Sequence, residues 1–351
     1  MLNKLDNFTK KTHLCNFTLE ELISYINNIG EKPYRARQIF EWIHRHHVSN
    51  FSEMTNLPKV LQHRLAKIAS VSCLSITEEL YQDSVRKFLF MLSDGLYIET
   101  VFLPENSRKT ICVSSQVGCA LKCTFCATGL MGFSRNLTAG EIVDQLLTVS
   151  RITGEKMTNV VFMGMGEPFL NYENVIKAAG IINDKRGYGI GARHITISTV
   201  GLVDKIVRFL AEGHKFKLAV SINAGSEAVR RTLMPISKKF PLEDLKKVIS
   251  TALRGNSRLM TLEYVLLKDV NDSDSEIEAL TAFIKSLPVK INLIPLNSIN
   301  AEYKPPSEHR IREIYQKIRS SGIQVNVRKS LGNNIKAACG QLFVKNNGKK
   351  I

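Results

Sequence analysis

Strands and helices alternate from residue 158 onwards, and this alternation restricts the chain to few architectures. A strand–helix repeat of this kind is typical of a parallel sheet covered by helices. We therefore predict an α/β fold, either doubly wound or closed fully or partly into a barrel, with its ligand site at the carboxyl ends of the strands. The predicted strands are residues 158–164, 194–201, 216–223, 259–267, 289–297 and 323–328. The predicted helices are residues 138–150, 171–183, 202–213, 241–255, 273–288 and 308–322.

The preceding third of the chain has a different pattern. Helices are predicted over 18–28, 33–47 and 57–69, and Thr18 with Glu21 forms a capping-box signature at the first of them. A β-hairpin is predicted from 85–92 and 96–103, because Asp94-Gly95 lies between two β-rich runs. Residues 109–115 are predicted as a further strand. We expect a helical accessory domain with a hairpin over residues 1–95.

The net charge points to a polyanionic partner. Among 351 residues, 48 Lys and Arg stand against 32 Asp and Glu, which gives +16. A generally basic proteome is the alternative, and charge alone does not separate RNA from DNA or anionic lipid. The last 24 residues contain no acidic residue and six cations: Arg328, Lys329, Lys336, Lys345, Lys349 and Lys350. A second basic group is either a solvated helix face or an RNA-facing one: Arg35, Arg37, Arg45, His44, His46 and His47.

Composition excludes several classes of protein. The chain is 44% hydrophobic and 23% charged, which is ordinary for a globular protein. No apolar run approaches the roughly 18 residues of a membrane span, and the first residues show no apolar stretch typical of a signal peptide. We expect a cytoplasmic protein that needs no membrane, and a monomer, because no oligomer seam is visible.

Three of the seven cysteines have the spacing CxxxCxxC: Cys119, Cys123 and Cys126. Three thiolates on one loop can bind three irons of a [4Fe–4S] cluster and leave the fourth iron open to a small chelating ligand. Structural zinc is the alternative, but it normally needs four protein ligands in paired elements. Cys15 and Cys73 are interpreted as structural.

An aromatic residue, Phe125, stands before the last of these cysteines, and the pattern resembles the radical S-adenosylmethionine (SAM) superfamily. Nearly the whole chain is similar to the RlmN family of dual-specificity RNA adenine C2-methyltransferases, sister to the Cfr family. The resemblance rests on ICVSSQVGCALKCTFCATG, GFSRNL, FMGMGEP, GARHITISTVG, LMPI and AACGQL, in that order. It implies a partial (β/α)6-type barrel over residues 96–330 and a basic C-terminal segment over 331–351.

The resemblance also implies a reaction and its residues. One SAM methylates Cys339, and a second SAM, bound to a cluster held by Cys119, Cys123 and Cys126, yields a 5′-deoxyadenosyl radical. This radical abstracts hydrogen from the methyl group, and the methylene adds to adenine C2. Glu99 then removes the C2 proton, and the thiolate of Cys112 attacks the sulfur of Cys339, which releases the product and leaves a transient disulfide.

Further implications concern ligands and partners. The SAM contacts implied by motif are Gly166, Glu167, Ser198, Ser221, Ile222, Asn223 and Asn297. The implied substrates are 23S rRNA in its peptidyl transferase region and the tRNA adenine 3′ of the anticodon, and a flavodoxin-type protein is the implied electron donor. Two positions depart from the family: Asn223 replaces its usual His, and Asn334 replaces its usual acidic residue. Two alternatives stay open, which are Cfr-like methylation at C8 and RNA binding without catalysis.

Overall fold

The protein is described by a computed structural model that covers residues 11–252, 260–285, 287–299, 302–328, 331–332 and 334–344. The strands are β1 Thr12–His13, β2 Ala69–Ser70, β3 Leu74–Gln82, β4 Val85–Leu92, β5 Tyr97–Glu105, β6 Arg108–Cys112, β7 Gln116–Gly118, β8 Phe133–Asn136, β9 Asn159–Phe162, β10 Ile195–Thr199, β11 Lys217–Ser221, β12 Met260–Leu266, β13 Val289–Pro295 and β14 Gln324–Val327. The helices are α1 Leu19–Asn28, α2 Pro33–His44, α3 Lys59–Ile68, α4 Ala127–Met131, α5 Ala139–Thr153, α6 Tyr172–Asn183, α7 Val203–Ala211, α8 Glu227–Leu233, α9 Leu242–Ala252, α10 Asp274–Ile284 and α11 Glu308–Ser320.

One ten-stranded sheet, in the order β14-β13-β12-β11-β10-β9-β6-β5-β4-β3, forms the centre of the described structure. Strands β6 and β9 to β14 pair in parallel, whereas β3 to β6 pair antiparallel. Within the described residues the order ends at β14 and β3, so the sheet is open. The predicted partial barrel is confirmed, with an antiparallel extension at one side.

Helix α5 is largely buried and connects several parts of the fold. Twelve of its residues are buried, and Thr138 and Glu141 form a capping box at its start. Gln145 is fully buried; its side-chain oxygen accepts from Thr100 Oγ1 at 2.7 Å and from the amide of Ser114 at 2.8 Å. This side chain therefore ties α5 to β5 and to the segment that leads into the cysteines.

The sequence pattern predicted most elements correctly. The capping box of Thr18 and Glu21 begins α1, and β4 and β5 form the predicted hairpin. The predicted second helix ends three residues early, at His44, and the third begins at Lys59, after Pro58. Strand β3 was not predicted, because it is a mostly exposed edge strand whose sequence lacks apolar alternation.

Some predictions fall outside the described residues. The end of the helix predicted over 241–255 does so, as do Lys329, Lys345, Lys349 and Lys350. The proposed domain boundary at residue 95 lies in the turn of the β4–β5 hairpin, and the same sheet continues on both sides of it. In the described part of the chain, no helix is both long and apolar enough to cross a membrane.

Candidate active site

A cavity of about 160 Å³ opens at the carboxyl ends of the parallel strands, where the fold predicted a ligand site. Its wall includes residues that follow β9, β10, β11 and β13, two of the three clustered cysteines, and Cys339. The implied SAM contacts that line it are Gly166, Glu167, Ser198, Ser221 and Asn223. Five of the seven SAM positions are therefore gathered around one cavity.

The three clustered cysteines lie on one loop between β7 and α4, and Cys126 is the N-cap of α4. Burial raises the pKa of the Cys119 thiol to about 12 and also raises the pKa values of the Cys123 and Cys126 thiols. Cys126 raises the pKa values of the Cys119 and Cys123 thiols further, and Cys119 raises that of Cys123, so this loop holds three buried thiols whose negative charges would repel one another. Three buried thiolates are stable only if positive charge binds between them.

The donor set fits an iron–sulfur cluster. Backbone N–H groups of Gly129 and Thr128 face the Cys126 thiol, and that of Leu121 faces Cys119; these donors stabilise thiolates. Among the described residues, no three His, Cys, Asp or Glu side chains are grouped to hold a single metal ion. A cubane cluster requires a different arrangement, in which each thiolate binds its own iron.

The turn after β9 is shaped for close approach of a ligand. Gly166 has a φ of +98°, and a Cβ there would lie 2.5 Å from Cβ of Gln116, so that only glycine fits. Glu167 is buried, and its carboxylate accepts from the amides of Phe169 and Val200, both at 3.0 Å. Burial raises the pKa of Glu167 to about 7, so a cationic ligand group would stabilise its ionised form.

The two remaining SAM positions lie elsewhere. Ile222 is fully buried in the main hydrophobic core and does not line the cavity. Asn297 lines a neighbouring cavity and donates from Nδ2 to the carbonyl of Cys339 at 3.3 Å. The structure thus brings Asn297 to the segment that contains Cys339, residues 334–344, rather than to the wall of the cavity of about 160 Å³, which is called the SAM cavity below after the contacts implied for it.

The two departures from the family have different surroundings. Asn223 adopts a φ of +54°, which Asn tolerates, and its Oδ1 accepts from the amide of Val265 at 2.9 Å. Its amide group still lines the SAM cavity. Asn334 is exposed, and its backbone N–H donates to Oε1 of Gln82 at the end of β3, at 2.8 Å.

Cys112 and Cys339 lie on the wall of the same cavity although 227 positions separate them in the sequence. Both line a small cavity of about 70 Å³, together with Arg328 and Asn297. Burial raises the pKa of the Cys112 thiol to about 12, and the Cys339 sulfur raises it further while the Arg328 guanidinium lowers it. All seven cysteines lie within the described residues, and all are free thiols.

Glu99 faces a third cavity, of about 690 Å³. Glu99 is buried, with 4% of the residue exposed; Oε1 accepts from Lys87 Nζ at 2.7 Å and Oε2 from the amide of Phe343 at 2.8 Å. Burial raises the pKa of Glu99, and Lys87 opposes that rise. The hydroxyl of Ser114 donates to the carbonyl of Glu99 at 2.6 Å and fixes the strand at this point.

Sequence reasoning missed Glu263 and Arg328 as parts of the site. Glu263 is 4% exposed on β12 and lines the SAM cavity; its Oε1 accepts from Asn292 at 3.0 Å, but its Oε2 has no hydrogen-bond partner among the described residues. Such an oxygen fits a ligand that brings a donor. Arg328, just after β14, lines both the SAM cavity and the Cys112–Cys339 cavity. Nothing in the surrounding sequence, EYVLL, indicates a role for Glu263 in ligand binding.

The basic group near residue 45 is only partly a helix face. His44 is buried, whereas Arg45, His46 and His47 line a cavity of about 710 Å³ with Arg151, Lys156 and Lys185. This cavity lies at the amino-terminal edge of the parallel strands, opposite the cysteines. The helices α2, α5 and α6 end there, and cations at helix C-termini stabilise the helix dipoles.

Two family profiles match the chain. One, described as the ribosomal RNA large subunit methyltransferase N-terminal domain, covers residues 12–71, and the other, the radical SAM superfamily, covers residues 113–284. A probable dual-specificity RNA methyltransferase RlmN from Caldicellulosiruptor saccharolyticus is 43% identical over 95% of this chain and 97% of its own. The chain belongs to the RlmN family.

Further relatives agree with this membership of the RlmN family. The dual-specificity RNA methyltransferase RlmN of Alcanivorax borkumensis is 39% identical over 95% of this chain and 90% of its own. A crystal structure of a radical SAM methyltransferase from Sphaerobacter thermophilus has a TM-score of 0.91 at 42% identity and covers 94% of this chain and 99% of its own.

Membership of the RlmN family makes the protein a methyltransferase of the radical SAM superfamily, and it implies a [4Fe–4S] cluster and SAM. The predicted fold class is confirmed by the structural likeness. The two profiles leave residues 72–112 unmatched. The domain boundaries at 95 and 330 therefore stay predictions, as do the roles of the individual site residues.

Proposed function

We propose that the protein methylates C2 of adenine in 23S rRNA, in the peptidyl transferase region, and in tRNA, 3′ of the anticodon. The observation that carries this proposal is the position of Cys339, which lines the SAM cavity and also the cavity that contains Cys112. A carrier cysteine needs both neighbours: SAM to receive the methyl group and a resolving thiol to release the product. Relatives named dual-specificity RNA methyltransferases support the choice of substrate.

The thiolates of Cys119, Cys123 and Cys126 would bind three irons of one [4Fe–4S] cluster, and SAM would chelate the fourth. The cluster with its bound SAM would supply a 5′-deoxyadenosyl radical, which would activate the methyl group on Cys339 for addition to an electron-poor carbon such as adenine C2. Two SAM molecules are used per turnover, one as methyl donor to Cys339 and one as radical source. Arg230 is fully buried and interacts electrostatically with Cys123, so its positive charge would stabilise thiolates that bind a cluster there.

The SAM cavity offers complementary groups. The carboxylate of Glu167 would accept from the ammonium group of SAM, and the glycine turn at Gly166 leaves room for the ligand. Ser198, Ser221 and the amide of Asn223 line the same cavity and can donate hydrogen bonds. Ile222 would contribute only through its backbone, and Asn297 would act by holding the carbonyl of Cys339.

Cys112 and Glu99 complete the proposed chemistry. The Cys112 thiolate would attack the sulfur of Cys339 and form the transient disulfide. The bond from that sulfur to the methylene carbon would break, and the carbon, which keeps the electron pair, would take up a proton to become the methyl group. Arg328 lowers the pKa of Cys112 and so favours that thiolate. Glu99 would accept the proton from C2, and the cavity of about 690 Å³ in front of it is large enough for a nucleobase.

The RNA partner agrees with the net charge of +16. Electron supply by a flavodoxin-type protein, a cytoplasmic location and a monomeric state belong to the same proposal. No observation favours a noncatalytic RNA-binding role, which would leave the pairing of Cys112 with Cys339 without a purpose.

Nucleoside mass spectrometry of separated rRNA and tRNA tests the proposed activity. A strain without the gene should lack 2-methyladenosine in both RNA pools, and restoring the gene should restore it in both. Appearance of 8-methyladenosine instead would mean Cfr-like regiochemistry on the same fold. If neither base responds, the proposed substrate is wrong.

A further inference from the structure

The buried ammonium of Lys87 is a group that the proposed mechanism does not use. Lys87 lies on β4, and Leu89 pairs opposite Glu99 on β5, so that Lys87 and Glu99 are diagonal neighbours on one face of the sheet. Their side chains are 9% and 6% exposed, and Nζ lies 2.7 Å from Oε1. Both side chains line the cavity of about 690 Å³.

This ion pair also contacts the segment that carries Cys339, on both sides of the cysteine. Lys87 Nζ donates to the carbonyl of Lys336 at 3.5 Å, and Glu99 Oε2 accepts from the amide of Phe343 at 2.8 Å. The two contacts are three residues before and four residues after Cys339. The ion pair therefore bridges the two flanks of the carrier segment.

Other contacts hold the middle of that segment to the cysteine loop. The amide of Ala127, next to Cys126, donates to the carbonyl of Gly340 at 2.7 Å, and the hydroxyl of Thr128 donates to that of Leu342 at 2.7 Å. These contacts involve neither Lys87 nor Glu99. Loss of Lys87 should therefore loosen the flanks of the segment while its middle remains attached.

We propose that Lys87 is a positioning residue, which keeps Glu99 ionised, aims it into the cavity, and ties it to the carrier segment. The inference rests on the proposed role of Glu99 as the base that accepts the C2 proton. Only 4% of Glu99 is exposed, and burial disfavours the charged form of a carboxylate. Without the Lys87 ammonium beside it, Glu99 would therefore be more readily protonated. Once Glu99 is protonated, Lys87 faces a neutral partner, which favours loss of the proton and return of the base to its ionised form.

Two further charged groups face this pair. Glu78 on β3 lines the same cavity and raises the pKa of Glu99, whereas the positively charged Lys336, three residues before Cys339, also lines that cavity. Glu79 pairs with Phe88 and so lies on the other face of the sheet, where it is ion-paired with Arg86. Lys87 is the charged group in direct contact with the Glu99 carboxylate among these, so its removal should have the largest effect on the acidity of Glu99.

The test compares Lys87→Met with Lys87→Arg and with a matched control, Lys109→Met. Lys109 forms an ion pair with Glu155 at the far end of β6, away from the cavities of the active site. In Lys87→Met, the effect of burial on Glu99 is opposed by the Phe343 amide but no longer by the Lys87 ammonium, so the pKa of Glu99 should rise. The acidic limb of the pH–rate profile of RNA methylation should move to higher pH by about one unit or more. At a fixed pH on that limb, the methylation rate should fall about tenfold.

Two further readouts do not depend on turnover. Difference infrared spectroscopy of the Glu99 carboxylate in free protein should show ionisation at a higher pH in Lys87→Met, with Glu99→Gln used to assign the band. Amide hydrogen exchange should be faster at Lys336 and Phe343 but unchanged at Gly129 of α4, the helix that follows the loop of the three clustered cysteines. Methylation of the Cys339 sulfur from SAM, a step in which Glu99 has no role in the proposal, should stay at the wild-type rate.

Lys87→Arg should restore the infrared titration and most of the pH profile, and Lys109→Met should behave as wild type throughout. The inference is wrong if Lys87→Met titrates like wild type, or if Lys87→Arg is no better than Lys87→Met. Should Lys87→Met fail to fold, the same titration on Lys87→Gln decides. Wild-type protein that methylates no RNA at any pH would refute the proposed function, while the infrared comparison would still judge the role of Lys87.

Discussion

A Cys339→Ala protein is expected to bind its cluster and SAM normally but to methylate no RNA, with activity lower by about 10³-fold or more. The side chain of Cys339 lines the SAM cavity without forming its main wall, so removal of one sulfur should leave SAM affinity unchanged within about twofold. The variant lacks the Cys339 sulfur, which is the only protein atom that carries the methyl group in the proposed mechanism. Mass spectrometry of the product RNA and equilibrium dialysis with SAM measure the two quantities.

Cys15→Ala is the matched control for Cys339→Ala. Cys15 is fully buried in the accessory region, where its sulfur lies 3.7 Å from that of Cys73 and far from the cavities of the active site. We expect this variant to retain full activity, with some loss of thermal stability. RNA methylation by Cys339→Ala at a rate near that of wild type would rule out the carrier role and leave direct transfer from SAM.

A Cys112→Ala protein is expected to stop with its RNA covalently attached. Without the thiolate that attacks the Cys339 sulfur, the bond between that sulfur and the methylene carbon should persist after addition to adenine. Cys112 lines a cavity of about 70 Å³ together with Cys339. Cys123 and Cys126 share the SAM cavity with Cys339, but the proposal places their thiolates on the cluster, so we expect neither to substitute for Cys112. Denaturing gel electrophoresis should show a slower band that disappears after nuclease treatment.

The trapped species should also have a defined composition. After nuclease digestion, peptide mass spectrometry should find a methylene-linked adenosine on Cys339 and nowhere else. A double variant, Cys112→Ala with Cys339→Ala, should form no adduct. Release of free methylated RNA by Cys112→Ala at the wild-type rate would mean that another group resolves the intermediate.

The sequence predicted the fold because its elements are locally encoded. The strand–helix alternation, the capping box at Thr18 and the Asp94-Gly95 hairpin each depend on neighbouring residues, and each is found in the structure. The CxxxCxxC spacing is likewise a local pattern, and it predicts an iron–sulfur cluster site because three thiolates on one loop can bind three irons. The prediction that Cys112 and Cys339 lie close together rested on the family resemblance. Sequence spacing alone does not predict the proximity of residues 227 positions apart.

Groups whose meaning depends on the tertiary structure were missed. Glu263 looks like any strand residue until its buried, unpartnered oxygen is placed against the SAM cavity. Lys87 looks like a surface lysine of a hairpin until its pairing with Glu99 is known. Ile222 was predicted as a SAM contact from its place in a motif, yet alternation along β11 and beyond turns its side chain into the core.

The central claim is that the methyl group on the RNA comes from Cys339, and a label transfer tests it most directly. Protein carrying a trideuterated methyl group on Cys339 is freed of labelled SAM and then given RNA with unlabelled SAM for one turnover. We predict deuterium in the methyl group of the modified adenine. An unlabelled methyl group on that adenine would contradict the account.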